Sequence, residues 1–441
     1  MAVNTWRRRW TLVLITIGVI VIAAAVTLAL LNPSITRYVE GPEFRAEIEK
    51  QTAKGLHFQR CELQPIRRTG FLSAASDGAI ARDGIKALTA LDAHGISARF
   101  NPFGVFLRRW QLDELHIKGG TVGIQIYQPQ PEPKPVRPWY FIFLPDRVYL
   151  KRLWSDPADV TWQMRGEEGG IFGTRLLITP YGRDFDYRAT GGTLHSAGIP
   201  DLALRHTHLL ITKTLFTLYE LELASGEGTI RGEGTAEMRG EKRVDFKIKW
   251  ANLPVRDWLP NDWNGDFAGT ANGDLHWTAN DIKLAAAQMQ GRLRINGGRI
   301  SRLTFLDQLA AVTKRKDFAR LQLDECAADA IWEKGEGELK NIAIEDKGKF
   351  RIEGTVKFTE DSLGGTVQLG LGRDYLAWMP HPEDVFPRAE GAYLWTAVHL
   401  SGTLDKPEQD LSPRLLTAMK ESPGAFFGAA LRAFGAWLRR K

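Results

Sequence analysis

Apolar and polar residues alternate along many short stretches of this chain, so that a β-strand through each stretch has one apolar and one polar face. Residues 243–250 (RVDFKIKW) and 349–358 (KFRIEGTVKF) show the pattern most clearly. It predicts sheets with one apolar face, because successive side chains of a strand point to opposite sides. The apolar residues of the two stretches are Val244, Phe246, Ile248, Trp250, Phe350, Ile352, Val356 and Phe358.

Glycine-rich stretches recur between the alternating ones, for example at residues 225–234 (SGEGTIRGEG) and 269–274. They favour tight turns and an antiparallel meander. Shorter alternating stretches lie at 121–127, 291–295 and 366–371. Together they predict a mainly β fold of about twenty strands, which exceeds the ~10 that a twisted open sheet holds without curling or splitting.

Four segments interrupt the strand pattern. Residues 42–54 have the composition of a short helix, and residues 128–138 (QPQPEPKPVRP) hold five prolines in eleven residues, which predicts an extended loop. The aromatic run at 139–144 follows and is predicted to be a strand that enters a core. Residues 303–320 (LTFLDQLAAVTKRKDFAR) have apolar residues at helical spacing, which predicts one helix packed on the sheet.

Residues 11–31 (TLVLITIGVIVIAAAVTLALL) form an uncharged run without proline. A helix of this length rises about 31 Å, which is enough to cross the hydrocarbon core of a bilayer. A cleaved signal peptide has a shorter apolar core and a small-residue cleavage site, so the run favours an uncleaved anchor. Arg7, Arg8 and Arg9 precede it, and Arg37 is the first base after it, which places the N-terminus in the cytoplasm.

The positive charge of the chain is concentrated at its two ends. The formal net charge is +6, yet residues 1–10 and 432–441 together carry seven bases and no acid, which leaves −1 for the residues between them. A nucleic-acid-binding protein carries its basic charge on the folded body. The distribution therefore argues against nucleic acid and favours membranes.

The last eighteen residues, 424–441, repeat apolar residues at spacings of three and four. This pattern predicts an amphipathic helix with Phe and Trp on one side and arginine on others. Two roles stay open for it: lying in a bilayer interface, or capping an open end of the sheet. The candidate membrane-interface residues are Phe427, Leu431, Phe434, Trp437, Arg439 and Arg440.

Motifs for catalysis or metal binding are weak. His206 and His208 share one strand face, which is the geometry of a partial metal site, but a plain surface pair is the favoured interpretation. Asp184 and Asp186 place two carboxylates on one side of a strand without further support for a glycosidase. The glycines at 226–234 lack the G-K-S/T of a phosphate loop. We therefore expect no catalytic residue, no cofactor and no metal.

Three segments, in order along the chain, carry a resemblance to a known family. Residues 95–125 (GISARFNPFGVFLRRWQLDELHIKGGTVGIQ), 291–309 (GRLRINGGRISRLTFLDQL) and 400–411 (LSGTLDKPEQDL) follow the N-terminal anchor. Together with the anchor they resemble the AsmA-like family, which includes relatives of TamB and YhdP. The first segment is similar to that family's early strand–turn–strand block, and the other two to its C-terminal block.

The resemblance implies a long curled antiparallel β-sheet, a bridge-like β-groove whose inner face holds or conducts phospholipid for outer-membrane and envelope biogenesis. It implies a single-pass protein of the bacterial inner membrane with the bulk of the chain in the periplasm. Its partners would be membrane phospholipids and an envelope protein at the C-terminal end. The implied segments are 1–10 (basic stub), 11–31 (transmembrane anchor), 32–127 (helix and β region), 128–138 (Pro-rich loop), 139–411 (β-groove body) and 412–441 (amphipathic helix).

An apolar strand face must be covered by something, and the sequence does not say by what. On composition alone a closed sandwich or half-barrel is favoured, and the resemblance reverses that preference in favour of a groove filled with acyl chains. A second hypothesis is therefore an envelope scaffold or assembly factor with a closed β core. A third, a membrane-tethered hydrolase, has the least support. Cys61 and Cys326 could pair in an oxidising compartment, but nothing in the sequence requires it.

Overall fold

The computed structural model describes residues 32–107, 109–125, 147–164, 166–182, 184–237, 242–259, 267–280, 287–301, 317, 320–359, 361–377, 379, 381–403, 407–411, 413 and 414. The predicted anchor (11–31), Pro-rich loop (128–138), aromatic strand (139–144) and amphipathic helix (424–441) lie outside these residues. So does most of the predicted helix at 303–320, although its last residue, Arg320, begins a strand instead. Within the described part of the chain, no helix is long and apolar enough to span a bilayer.

The chain divides into two compact units, Met1–Pro180 and Tyr181–Lys441. In the first unit, residues 32–39 are helical, helix α1 follows, and a 3₁₀ helix at Pro102–Leu107 joins two strands. The elements are α1 Pro42–Leu56, β1 Phe58–Leu63, β2 Ile66–Gly70, β3 Ser73–Gly84, β4 Leu88–Asn101, β5 Arg109–Ile124, β6 Arg147–Leu150, β7 Leu153–Met164 and β8 Glu167–Tyr181. Helix α1 confirms the helix predicted from residue 42, and Pro42 opens it because proline is tolerated in the first turn.

Most strand pairs of the first unit are antiparallel. β1 and β2 both pair with β3, which pairs with β4, and β4 pairs with β5. β6 and β7, however, pair with β5 in parallel, so the expectation of a purely antiparallel sheet was wrong here. Parallel neighbours require a connection that returns along the sheet, and residues 125–146 give the chain the length to do so.

Helix α1 and the segment before it protect the outer edge of this sheet. The Leu63 N–H donates to Glu49 Oε1 at 2.9 Å, and the Arg68 N–H donates to Glu40 Oε1 at 3.0 Å. Both amides belong to edge strands that would otherwise present free donors to another chain. Acidic side chains thus take the place of a further strand.

The second unit is a meander in which every described pair is antiparallel. Its strands are β9 Asp184–Thr190, β10 Thr193–His195, β11 Leu202–Ile211, β12 Leu215–Ser225, β13 Gly228–Glu237, β14 Val244–Pro254, β15 Phe267–Ala279, β16 Ala287–Ser301, β17 Arg320–Leu323, β18 Glu325–Glu333, β19 Glu336–Asp346, β20 Phe350–Phe358, β21 Leu363–Gly372, β22 Arg388–Glu390, β23 Tyr393–Gly402 and β24 Pro407–Gln409. Among its described residues, 3₁₀ helices lie at Val255–Trp258, Arg373–Tyr375 and Pro382–Asp384. The mainly β prediction is confirmed.

Several glycines that the sequence suggested were turn residues lie inside strands. In residues 225–234 the turn is confined to Gly226 and Glu227, and Gly232 and Gly234 belong to β13. The stretch 269–274 lies within β15. These glycines are tolerated in strand interiors because large side chains of the neighbouring strand cover them, as described below.

A sealed hydrophobic core lies at the last strands of the second unit. Val356, Val367 and Val398 of β20, β21 and β23 pack in one cluster with Leu411 and with four residues of the connection between β21 and β22. Those four are Leu376, Met379, Val385 and Phe386, and Leu376 and Phe386 are each only 1% exposed. We call this group the sealing connection.

The outer edge of β23 is also occupied. β22 and β24 pair with its two ends, and the His399 N–H between them donates to Asp410 Oδ1 at 2.8 Å. Arg414 donates to the Ala397 carbonyl and to Thr396 Oγ1. A partner that adds a strand at this edge would have to displace these contacts.

Candidate functional site

The apolar face predicted for residues 243–250 is present in β14. Burial alternates along the strand: Val244 is buried, Phe246, Ile248 and Trp250 are half-buried, and the intervening Asp245, Lys247 and Lys249 are exposed. The same side of neighbouring strands continues this face, because strand register places each of these residues opposite another apolar residue or a glycine.

One row of directly opposed residues crosses nine strands, from β12 to β21. We call it the aromatic row, and it consists of Leu218, Gly234, Phe246, Trp277, Met289, Trp332, Gly337, Phe358 and Leu363. The Phe246 and Trp277 rings stack with centroids 5.8 Å apart, and Trp332 and Phe358 meet at 6.0 Å. Since neighbouring strands lie about 4.8 Å apart, the row extends for nearly 40 Å.

A second row runs beside the first and is equally free of polar side chains. It consists of Leu221, Gly232, Ile248, Leu275, Gly291, Ala330, Leu339, Val356, Gly365 and Leu400. Both rows lie in one unit and on one face of its sheet. Together they form an apolar surface that crosses the strands, and its end at Val356 and Leu400 packs into the sealed core.

Glycine and a large side chain face each other repeatedly across this surface. Gly234 is opposite Phe246, Gly273 is opposite Trp250, and Gly337 is opposite Phe358. A Cβ on Gly234 would come within 2.5 Å of Phe246 Cδ1, and one on Gly337 would meet the Phe358 ring. The rings therefore lie over the glycines, which protects the backbone that glycine leaves bare.

Replacing Gly273 by alanine should lower the free energy of unfolding by about 1–3 kcal/mol. The added Cβ would meet the Arg292 carbonyl oxygen and the Trp250 indole, and the backbone atom cannot move aside as a side chain can. Gly364→Ala is the matched control, because a Cβ there has nothing within 4 Å, and we expect a change below about 0.5 kcal/mol. Urea denaturation of the full chain measures both, and equal losses would contradict the cover of Gly273 by Trp250.

The eight residues predicted to line a groove divide into two groups. Phe246, Ile248, Trp250 and Phe358 are half-buried, and Val244 is buried beside them. Phe350, Ile352 and Val356 instead pack against clusters of buried residues near the C-terminal end of the unit. The latter three therefore face a core that the chain itself supplies, which the strand pattern could not reveal. Lipid contact at any of the eight stays a prediction.

The opposite face of the sheet carries charge pairs. His276 Nε2 lies 2.9 Å from Asp245 Oδ1, and Arg292 lies 3.1 Å from Asp274. Arg351 contacts Glu353 at 2.6 Å and Glu345 at 2.8 Å, and the hydrogen bond to Glu353 raises the pKa of the guanidinium. Exposed pairs of this kind add little stability but keep this face in water.

The histidine pair on β11 is divided between two carboxylates. His206 Nε2 lies 2.8 Å from Glu220 Oε1, and His208 Nε2 lies 2.6 Å from Asp186 Oδ2. The hydrogen bond from His206 lowers the pKa of Glu220. Asp186 also contacts Arg188 at 3.2 Å. Among the described residues, no group of three or more His, Cys, Asp or Glu side chains could hold a metal ion.

Tyr187 on β9 lies opposite Leu209, at the start of the apolar surface. Burial, and secondarily Asp184, raises the pKa of its phenol above the ordinary 10.0. A raised folded-state pKa contributes stability that is complete below pH 10 and is lost as the pH rises through the folded value. Against Tyr187→Phe, the wild-type chain should therefore lose melting temperature as the pH rises past 10. A difference in Tm that stays constant from pH 8 to 11 would contradict this.

Three aromatic or flexible residues of the surface escaped the sequence-based prediction. Trp277, Met289 and Trp332 complete the aromatic row between Phe246 and Phe358. Local alternation does not say which residues lie opposite these three on the neighbouring strands, so the row that they form could not be predicted without the strand register. A comparison of the chain with protein-family models, with curated proteins and with solved structures found no match.

Proposed function

We propose that this protein is a membrane-anchored β-sheet protein whose apolar surface holds or conducts the acyl chains of phospholipids. The aromatic row is the observation that carries the proposal. Large apolar side chains that line up across many strands and stay half-buried are unusual in a sheet that only packs on itself, because a closed core excludes water from such residues.

The physics of acyl transfer supports this role. Each CH₂ group kept out of water is worth about 0.8 kcal/mol, so one chain of a phospholipid gains roughly 10 kcal/mol on a continuous apolar surface. No chemical step is required, and the head group stays in water.

Localisation and family are part of the same proposal. The uncharged run at 11–31 would anchor the chain in a bacterial inner membrane with residues 32–441 in the periplasm. The resemblance to the AsmA-like family supports phospholipid as cargo and envelope biogenesis as the setting. The charge pairs on the opposite face of the sheet support exposure of that face to water.

The lipid content of the purified chain tests the proposal. The full chain, extracted in mild detergent and washed, should release phospholipid on organic extraction, detected by mass spectrometry. Phe246→Asp should reduce that phospholipid, and Lys247→Asp, one residue away on the opposite face, should not. Absence of phospholipid from the wild-type chain would contradict the proposal.

A second function is favoured by the sealed core at β20–β23. There the sealing connection packs on the apolar face and buries Val356, Val367 and Val398, as in an ordinary closed protein. If the rest of the face is covered in the same way, the protein is an envelope scaffold or assembly factor that binds a protein partner. The two functions differ in how the fold responds to a charge placed at Phe246.

A further inference from the structure

Apolar side chains are exposed at one end of the strands of the first unit. Phe71, in the turn between β2 and β3, is 54% exposed, and Phe103 and Leu107, in the 3₁₀ helix between β4 and β5, are 72% and 61% exposed. Strand register places both connections at the same end, because Ser73 pairs with Arg99 and the Phe100 N–H donates to the Leu72 carbonyl at 2.8 Å.

Arg68 ties this end of the sheet to the helical segment at 32–39. Its guanidinium donates to Asn32 Oδ1 at 2.5 Å and to Thr36 Oγ1 at 2.8 Å. The same group donates to the Phe71 carbonyl at 3.1 Å, and its Cζ lies 5.5 Å from the centre of the Phe71 ring. One side chain thus joins the helical segment to the turn that exposes Phe71.

The position of Asn32 in the chain relates the exposed side chains at this end of the sheet to the predicted anchor. Asn32 directly follows Leu31, the last residue of the uncharged run at 11–31. If that run crosses the bilayer, Asn32 lies at its surface, and the contacts of Arg68 hold the turn at Phe71 at the same depth. Exposed aromatic and aliphatic side chains at this depth suit the boundary between head groups and acyl chains.

We propose that Phe71, Phe103 and Leu107 form a membrane-contact tip that inserts into the phospholipid bilayer in which the anchor lies. The proposal rests on the anchor of the proposed function and adds a second attachment beside it. Helix α1 then leads away from the bilayer along the sheet edge, and its C-cap, His57, accepts from the Ile85 N–H at 3.0 Å at the far end of β3.

Ile85 provides the matched control for this proposal. It is apolar and 58% exposed, like the tip residues, but it lies in the turn at the opposite end of the same strands. With about 3.3 Å per residue, β3 separates the two ends by roughly 35 Å. If every exposed apolar residue contacted lipid, Ile85 would contact it as the tip residues do. If only one end of the sheet inserts into the bilayer, Ile85 would not contact lipid.

Depth-dependent fluorescence quenching tests the proposal in the full chain. Phe71, Phe103, Leu107 and Ile85 would each be replaced by cysteine in a Cys61→Ser, Cys326→Ser background, labelled with NBD and reconstituted in phosphatidylcholine–phosphatidylglycerol vesicles. Doxyl-labelled phosphatidylcholine should reduce the fluorescence at the three tip positions at least about twofold and leave Ile85 nearly unchanged.

The membrane-contact tip would be overturned if labels at Phe103 and Leu107 were not quenched. It would also be overturned if a label at Ile85 were quenched as strongly as those at the tip. Phe103→Asp supplies a second readout, since in vesicles it should remove quenching of a label at Leu107 without lowering Tm. Phospholipid bound to the aromatic row is measured separately, by comparing the lipid extracted from the wild-type chain and from Phe246→Asp. If no phospholipid is found on the aromatic row but the tip labels are quenched, the proposed function is overturned and the membrane-contact tip stands. If phospholipid is found on the row but the tip labels are not quenched, the membrane-contact tip is overturned and the proposed function stands.

Discussion

Phe386→Ala is expected to lower the free energy of unfolding by about 3–5 kcal/mol, the largest stability loss that we expect from any single truncation in this chain. Phe386 is 1% exposed and packs within the cluster that joins Val356, Val367 and Val398 to the sealing connection. Removing the ring leaves a cavity that the sheet cannot fill, because strand pairing fixes the valines beneath it.

Phe103→Ala is the control for this loss, because the same ring is removed from a side chain that is 72% exposed. We expect a change within about 0.5 kcal/mol. Urea denaturation of the two variants and the wild-type chain in the same detergent gives the comparison. A loss below about 1 kcal/mol for Phe386→Ala would show that the sealing connection does not close a core.

Phe246→Asp is expected to leave the protein folded and to abolish lipid on the apolar surface. Phe246 is half-buried between Phe216 and Trp277, so a carboxylate there can stay hydrated at a cost of about 2 kcal/mol. An acyl chain that crosses the same point loses its apolar contact and meets a charge. We therefore expect at least a tenfold reduction in bound phospholipid, equivalent to about 1.4 kcal/mol or more.

Phe386→Asp is the partner of this experiment, since the same substitution buries a carboxylate without a counter-charge in the sealed core. It should unfold the second unit. Near-ultraviolet circular dichroism and limited proteolysis measure folding, and extraction with mass spectrometry measures lipid. Unfolding by both substitutions would favour the closed scaffold, because Phe246 would then be as fully covered as Phe386.

Local pattern was sufficient to predict single strands but not their neighbours. The alternation in 243–250 identified the apolar face of β14, and the helix from Pro42 followed from its composition. The aromatic row depends on strand register, which turns and bulges set over long distances, such as the bulge between Trp250 and Leu253. Trp277 and Trp332 could therefore not be placed on that row from the sequence.

The strand-interior glycines and the sealed core could not be predicted from the sequence for related reasons. Gly234 and Gly273 suggested turns because a strand-interior glycine makes sense only once the ring above it is known. The sealing connection has no period of two or of 3.6, so Leu376 and Phe386 gave no sign that they cover β20 and β21. The parallel pairing of β5 with β7 depends on a long connection, whose path the local sequence does not encode.

Photo-crosslinking in living cells tests the central claim most directly. A photoreactive residue would replace Phe246 or Trp277 on the aromatic row, and Lys247 or His276, their chain neighbours on the opposite face, would serve as controls. Phospholipid adducts at the two aromatic positions and none at the controls are the predicted result. Adducts to protein alone at Phe246 and Trp277, or equal lipid labelling of both faces, would contradict an acyl-binding surface.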